Sequence, residues 1–477
     1  MTAKHPMPKG PAQQLEDIWN TISPEPLLTK QELAIFYKSE LNEVRGGDKV
    51  ERLKLGLIRG FQKIPYKVLI TGHPGVGKST ELTRLIFDDE IRKRFHPIRI
   101  SATSELNPVQ FNPLDVLLIT MIEIAEESEK IIKGWKPSEH RLKEIQDFFA
   151  KEEVSVTTSS GMSGSASAGA SLSGGALWEK ITGLFLKLRG EIKFGQDRTE
   201  KRIEYRLTRI SQLLDITNRL LDECNDKLRE GANREWVVIF DNFEKPEIPP
   251  DKVRELFLTY GSTLKALRLH MMFTVPVALT YSTAAVGLPF PHEIIPDTPV
   301  FTSKHTPHVQ GRKAIQEILN ARVNPSLFAK GQQERIIQAS GGNLRDLFFL
   351  VTFAADSALL RKTGSKIITA DDSDRAITEL RVQYERKIGQ SPFDEKSVTY
   401  ADKAKRLVKA YCQDPEVKVP DAVLLSLLRA NAIQEFNGDR WFGVHPMVVR
   451  ILEDQGLIAP KKSKAKRNAK KTGRSAR

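Results

Sequence analysis

Cysteine is almost missing from the 477 residues: Cys224 and Cys412 stand far apart, without the spacing of a metal-ligand set. That excludes a disulfide framework and fits a reducing, cytoplasmic setting. No apolar run of about 18 residues occurs, so no membrane-spanning helix is expected. The opening "MTAKHPMPKGPAQQ" lacks the apolar stretch of a secretory signal. The segment Lys461–Arg477 holds nine Lys or Arg and no acid. Without it the net charge of +13 falls to about +4, ordinary for a chain this long, so the basicity is a property of the tail.

The remaining 40% hydrophobic and 28% charged residues describe a globular chain with room for several domains. Residues 1–45 start Pro-rich and then turn helical in "TKQELAIFYKSELNEV". From residue 46 to 303, short apolar runs alternate with helical stretches, as in a parallel α/β sheet. Five strands are expected, at "KVLIT" (67–71), "PIRIS" (97–101), "WVVIF" (236–240), "MMFTV" (271–275) and "PVFTS" (299–303).

An insertion over 150–195 interrupts this region. Its centre, residues 155–175, contains 13 Ser or Gly in 21 and reads as a flexible loop. The apolar and basic "ALWEKITGLFLKLRGEIKF" that follows is read as docking on the protein itself, with contact to a membrane surface as the alternative. A long helix over 197–230 carries Ile203, Leu207, Ile210, Leu214, Thr217, Leu221, Cys224 and Leu228 at spacings of four and three. That stripe suits a helix packed on the sheet, or else a short coiled coil. Residues 304–395 read as helical, 396–459 as a small separate domain and 460–477 as a disordered basic tail.

The most informative stretch is Gly72-His73-Pro74-Gly75-Val76-Gly77-Lys78-Ser79, followed by Thr80. A strand enters it and an amphipathic helix leaves it, the context required of the Walker A pattern G-x-x-x-x-G-K-[ST]. Glycine lets consecutive backbone N–H groups curl around phosphates, and the helix N-terminus adds partial positive charge. Lys78 is expected to reach the β- and γ-phosphates and the Ser79 hydroxyl to ligate Mg²⁺; His73 fills the loop without a role in chemistry. "EWVVIFDNFEK" supplies an apolar strand ending in Asp241, the Walker B pattern, whose carboxylate holds Mg²⁺ directly or through water. Many hydrolysing ATPases carry Glu at the next position. Asn242 stands there instead, and the next acid is Glu244. Glu244 either turns back towards the γ-phosphate or caps the following segment and pairs with Lys245.

With "MMFTVP" and "SGGNLRDL" added, the chain resembles the AAA+/STAND side of the P-loop ATPases over roughly residues 60–385. It is similar to bacterial STAND-like ATPases and to origin-recognition-type AAA+ proteins. The resemblance implies a five-stranded core of order 5-1-4-3-2 and a helical lid, with ATP and Mg²⁺ between them. It makes Thr274 the sensor 1 residue, which positions water or the γ-phosphate. It makes Arg345 the sensor 2 residue, reaching from the lid to the γ-phosphate; Asp346 beside it reads as an ordinary helix-surface charge. Arg254, Arg268 and Arg322 are unranked candidates for an arginine finger, and a nucleotide-dependent homo-oligomer is one outcome of this family.

After the lid, helices precede "AIQEFNGDRWFGVHP", where Asn437-Gly438 is a hairpin-turn signal. Helices followed by a two-stranded hairpin form a winged-helix pattern, with Arg440 and Trp441 on the wing. The acids Asp421, Glu435, Asp439, Glu453 and Asp454 leave the module open to DNA or to protein docking. The basic tail suits non-specific contact with nucleic acid. The expected function is a slowly hydrolysing ATP-dependent switch in signalling, regulation or bacterial defence, acting on an unknown protein effector or sensor partner. The alternative is a DNA-binding ATPase of the loader or origin-recognition kind, using the winged helix and tail.

Overall fold

The computed structural model describes residues 8–159, 174–361, 366–389, 394, 398–436 and 441–459. The expected hairpin turn with Arg440, the basic tail and most of the Ser/Gly-rich stretch lie outside the described residues. Contacts divide the chain into two units. One comprises Pro26–Ala34 and Gly47–Ile295; the other comprises the described parts of Met1–Glu25, Ile35–Gly46 and Pro296–Arg477. The first 45 residues therefore do not form a segment of their own.

The first unit is built on a five-stranded sheet: β1 (Lys67–Thr71), β2 (Phe95–Ser101), β3 (Glu235–Asp241), β4 (His270–Val275) and β5 (His292–Ile294), in the order β2-β3-β4-β1-β5. Every pairing is parallel, and the order is the expected 5-1-4-3-2. Strand alternation explains why the sequence shows unbroken apolar runs. Val68, Ile70, Val237, Ile239 and Met272 face one core, with α1 (Lys49–Gly60) and α2 (Lys78–Phe87) packed on it. Leu69, Trp236, Val238, Phe240, Met271 and Phe273 belong to the opposite core.

The fifth strand is not "PVFTS" but the preceding "HEI". β5 is a short edge strand in which His292 is exposed and Glu293 pairs with Lys49 at 3.5 Å, so it carries no apolar run to announce it. Val300 is buried because it packs in the second unit, which begins at Pro296.

On the opposite face lie α3 (Pro113–Ile131), α4 (Glu139–Ser159), α5 (Gly174–Phe194) and the pair α6 (Glu200–Thr208) and α7 (Ile210–Ala232). α5 docks on the protein itself, burying Leu177, Trp178, Ile181, Phe185, Leu188 and Ile192. The expected single helix breaks at Arg209, which leaves helical geometry (φ −117°, ψ 23°). Its buried side chains include Leu213, Ile216 and Leu220 beside Thr217, Leu221, Cys224 and Leu228. That is the broad stripe of a core-facing helix rather than a coiled-coil seam. The buried Arg206 guanidinium ties α6 to its neighbours through Glu152 (2.7 Å) and Glu191 (2.7 Å).

The second unit contains α8 (Val309–Asn320), α9 (Gln332–Ala339), α10 (Leu344–Leu359), α11 (Ala370–Ile388), α12 (Tyr400–Tyr411), α13 (Ala422–Arg429), the antiparallel strands β6 (Ile433–Phe436) and β7 (Trp441–Val444), and α14 (Pro446–Asp454). Residues 304–395 and 396–459, read from sequence as lid and separate module, share this one unit. A buried polar cluster joins them. The Tyr384 hydroxyl donates to Asp346 (2.7 Å), His445 lies 3.2 Å from the same carboxylate, and the two rings stack at 4.1 Å. Among the described residues no helix is long and apolar enough to cross a membrane.

Candidate functional site

The phosphate-loop sequence folds between β1 and α2 because its glycines adopt backbone angles that other residues resist. Gly72, Gly75 and Gly77 have φ of 150°, 89° and 99°. A Cβ on Gly72 would lie 2.2 Å from the Ile295 carbonyl oxygen. Gly77 is the last residue before α2, so Lys78, Ser79 and Thr80 form its first turn. Thr80 accepts a hydrogen bond from the Leu27 amide at 3.2 Å, which brings the Pro26–Ala34 segment to the loop. Nothing in the sequence marked that neighbour.

Four of the expected residues meet at the mouth of this loop, at the ends of β3 and β4. The Lys78 ammonium donates to the Gly72 (2.9 Å) and His73 (3.1 Å) carbonyls and pairs with Glu244 at 3.2 Å. Glu244 therefore turns back to the loop. Asn242 makes this turn with φ 75°, a left-handed conformation that Asn tolerates better than Glu. Its side-chain amide donates to Ser101 Oγ at 3.0 Å. The Thr274 hydroxyl lies 3.0 Å from Asp241 Oδ1 and 2.8 Å from Glu244 Oε2, so one proton serves both carboxylates. It also accepts from the Asn242 amide at 2.7 Å.

Asp241 is buried, which opposes ionisation. The adjacent Arg99 guanidinium, with hydrogen bonds from Arg99, Ser79 and Thr274, nevertheless holds its carboxyl below the usual range. The Ser79 hydroxyl, at the N-terminus of α2, thus helps to keep the Asp241 carboxyl ionised. Two hard oxygen donors beside a glycine-built loop suit Mg²⁺, which takes few protein ligands and keeps phosphate and water oxygens. No cluster of three or more His, Cys, Asp or Glu able to hold a metal occurs among the described residues.

Sequence reasoning missed Arg99. It lies on β2 opposite Ile239, two positions before the strand ends, and forms an ion pair with Asp241 and a 3.0 Å hydrogen bond to Thr83. An arginine within the apolar run "PIRIS", read against the alternation of the neighbouring strand, was the signal available.

Arg345 belongs to the second unit, at the start of α10, where the Asn343 side chain caps the helix by accepting from the Arg345 (3.1 Å) and Asp346 (3.3 Å) amides. Its side chain is exposed and makes no hydrogen bond or ion pair among the described residues. A cation in the first turn of a helix faces the positive end of the dipole, which costs about 0.3–1 kcal/mol unless an anion is present. Asp346 is no surface charge: it is buried and held by Tyr384 and His445. Arg322 is buried too, with its guanidinium 5.0 Å from the rings of Phe36 and Phe348, so it is unsuited to reach a neighbouring subunit. Arg268 pairs with Asp222 at 2.9 Å, and Arg254 is exposed. A cavity of about 250 Å³ in the second unit, lined by Phe301, Arg335, Trp441 and Arg450, contains none of the phosphate-loop residues.

No protein-family model matches the chain. No curated protein matches either. Solved structures do. The chain is similar to the Walker-type ATPase PABY2304 of Pyrococcus abyssi (14% identity, 90% of this chain and 98% of that one, TM-score 0.38). It is similar to Cdc6p from Pyrobaculum aerophilum (10% identity, 89% and 98%, TM-score 0.36). It is also similar to Drosophila ORC in a structure bound to DNA (13% identity, 92% and 84%, TM-score 0.32).

Proposed function

We propose that this chain binds ATP with Mg²⁺ and hydrolyses it slowly, as a nucleotide-dependent switch in signalling or regulation. The observation that carries the reading is the convergence of Lys78, Ser79, Asp241, Glu244 and Thr274 on one glycine-built phosphate loop. Lys78 supplies a fixed positive charge for the β- and γ-phosphates. Ser79 and Asp241 would hold the metal, which would neutralise phosphate charge. An incoming phosphate competes with Glu244 for Lys78; the carboxylate so released is free to orient water and accept its proton. Thr274, hydrogen-bonded to both acids, keeps Glu244 in line with Asp241 during that exchange.

Arg345 is the second half of the switch. An exposed guanidinium with no ion pair among the described residues suits the γ-phosphate because it can donate two hydrogen bonds to it. Asn343, which caps its helix, and Asp346, which anchors that helix to Tyr384 and His445, make Arg345 part of a rigid unit. Capture of the γ-phosphate therefore acts on α11 and on the residues around β6 and β7, where an effector or sensor protein would read it.

A second reading follows from the same residues: helices, the paired β6 and β7, and the nine Lys or Arg of Lys461–Arg477 suit a winged-helix-like module and a basic tail that grip DNA. One set of measurements tests both. Lys78→Ala should lower ATP affinity by at least a hundredfold, and unchanged binding would refute the site. DNA binding is then measured with and without ATP for the full chain and for a truncation ending at Pro460. ATP-dependent binding that survives truncation favours DNA handling; binding that vanishes with the tail favours the switch.

A further inference from the structure

We propose that Arg99 is the resident counter-cation of the metal-binding carboxylate, holding Asp241 until a divalent cation replaces it and so setting the Mg²⁺ level needed for tight nucleotide binding. The inference rests on the nucleotide reading above but concerns a residue that reading does not use.

The two oxygens of Asp241 are not equivalent. Oδ1 is taken by the backbone amide of Asn242, just past β3, at 2.9 Å and by the hydroxyl of Thr274, on β4, at 3.0 Å. Oδ2 is held by the Arg99 guanidinium. Oδ2 is thus the oxygen a metal ion would take, and a movable cation already sits on it.

Arg99 also contacts the other side of the metal site. Its second nitrogen donates to the Thr83 hydroxyl at 3.0 Å, and that hydroxyl donates to the Ser79 carbonyl at 2.9 Å. The guanidinium fork therefore bridges the Walker B carboxylate and the helical turn that bears Ser79. A planar group with several donors can make both contacts at once; a lysine ammonium has one charged atom to place.

The site without nucleotide then contains two matched ion pairs, Lys78 with Glu244 and Arg99 with Asp241. Phosphate would release Glu244 from Lys78, and Asp241 would exchange Arg99 for the metal ion. The Arg99 side chain keeps 22% of its surface exposed against 1% for Asp241, so the guanidinium can leave towards solvent while the carboxylate stays in place.

The test measures affinity for a fluorescent, non-hydrolysable ATP analogue in the full chain, first in EDTA and then across a Mg²⁺ titration. Arg99→Gln removes the charge but keeps a polar side chain. Its Mg²⁺ midpoint should fall about tenfold, equivalent to about 1.4 kcal/mol, with affinity in EDTA unchanged. Arg99→Lys, which cannot hold Asp241 and Thr83 together, and Thr83→Val, which removes only the second anchor, should shift it the same way by less. These two carry the test should Arg99→Gln not fold. An unmoved or raised midpoint in these variants overturns the inference and leaves the nucleotide reading standing. A wild-type chain that binds no nucleotide at any Mg²⁺ concentration overturns both.

Discussion

Replacing Asp297 by Asn should make the second unit more stable at pH 8 and flatten its pH dependence. Asp297 is fully buried at the start of that unit. Its Oδ1 accepts from the Asn343 amide group at 3.1 Å, while Oδ2 has no hydrogen-bond partner among the described residues. Burial pushes its carboxyl up to about 7, against opposing help from Arg45 and from hydrogen bonds to Asn343 and Gln434. In the unfolded chain the same group titrates near 3.8. Below that value both states are protonated and the group is silent. Between about 4 and 7 the unfolded chain is ionised while the folded unit is neutral, so stability falls as pH rises. Each unit is worth about 1.4 kcal/mol, which gives an upper value of about 4 kcal/mol above pH 7 and about 3 kcal/mol between pH 5 and 8. Asn has the shape of Asp and no titration. The difference in stability between variant and wild type, measured by calorimetry at pH 5 and 8, should therefore grow by up to that amount. Parallel pH profiles for the two proteins would refute the reasoning, whatever the packing cost of Asn itself. Because Asn343 also caps the helix that begins with Leu344 and Arg345, the same variant reports how firmly that helix is anchored.

Two substitutions separate the loop's architecture from its chemistry. Glu244→Gln should retain nucleotide binding and lower steady-state ATP turnover at least tenfold, since the amide cannot accept the proton of water; normal turnover would reduce Glu244 to a structural partner of Lys78. Gly72→Ala should abolish nucleotide binding and lower the melting temperature, because the new methyl meets the Ile295 carbonyl at a φ that side chains resist; wild-type affinity would show that the loop can shift to accommodate it.

Local pattern was enough where the chemistry itself is local. The phosphate loop is contiguous, its glycines are needed one by one, and strands buried on both faces must read as apolar runs, so β1 to β4 and the Walker motifs are visible in one dimension. β5 was missed because an edge strand needs no apolar run, and "PVFTS" was mistaken for it because burial in another unit leaves the same trace. The break at Arg209 was hidden by a stripe that continues across it.

What the sequence by itself determined is a phosphate-gripping loop and its Walker B acid; the order of the sheet that places them together was implied by the family resemblance. Only the tertiary structure decided that Glu244 returns to Lys78, because a left-handed Asn242 is a backbone property. Only the tertiary structure put Arg99 on Asp241, because β2 and β3 are adjacent in the sheet but more than 130 residues apart in the chain. It also turned Asp346 from an apparent surface charge into a buried anchor, since its partners Tyr384 and His445 come from distant helices and loops. Motifs record what one segment must do; pairings between charges depend on which segments folding makes neighbours.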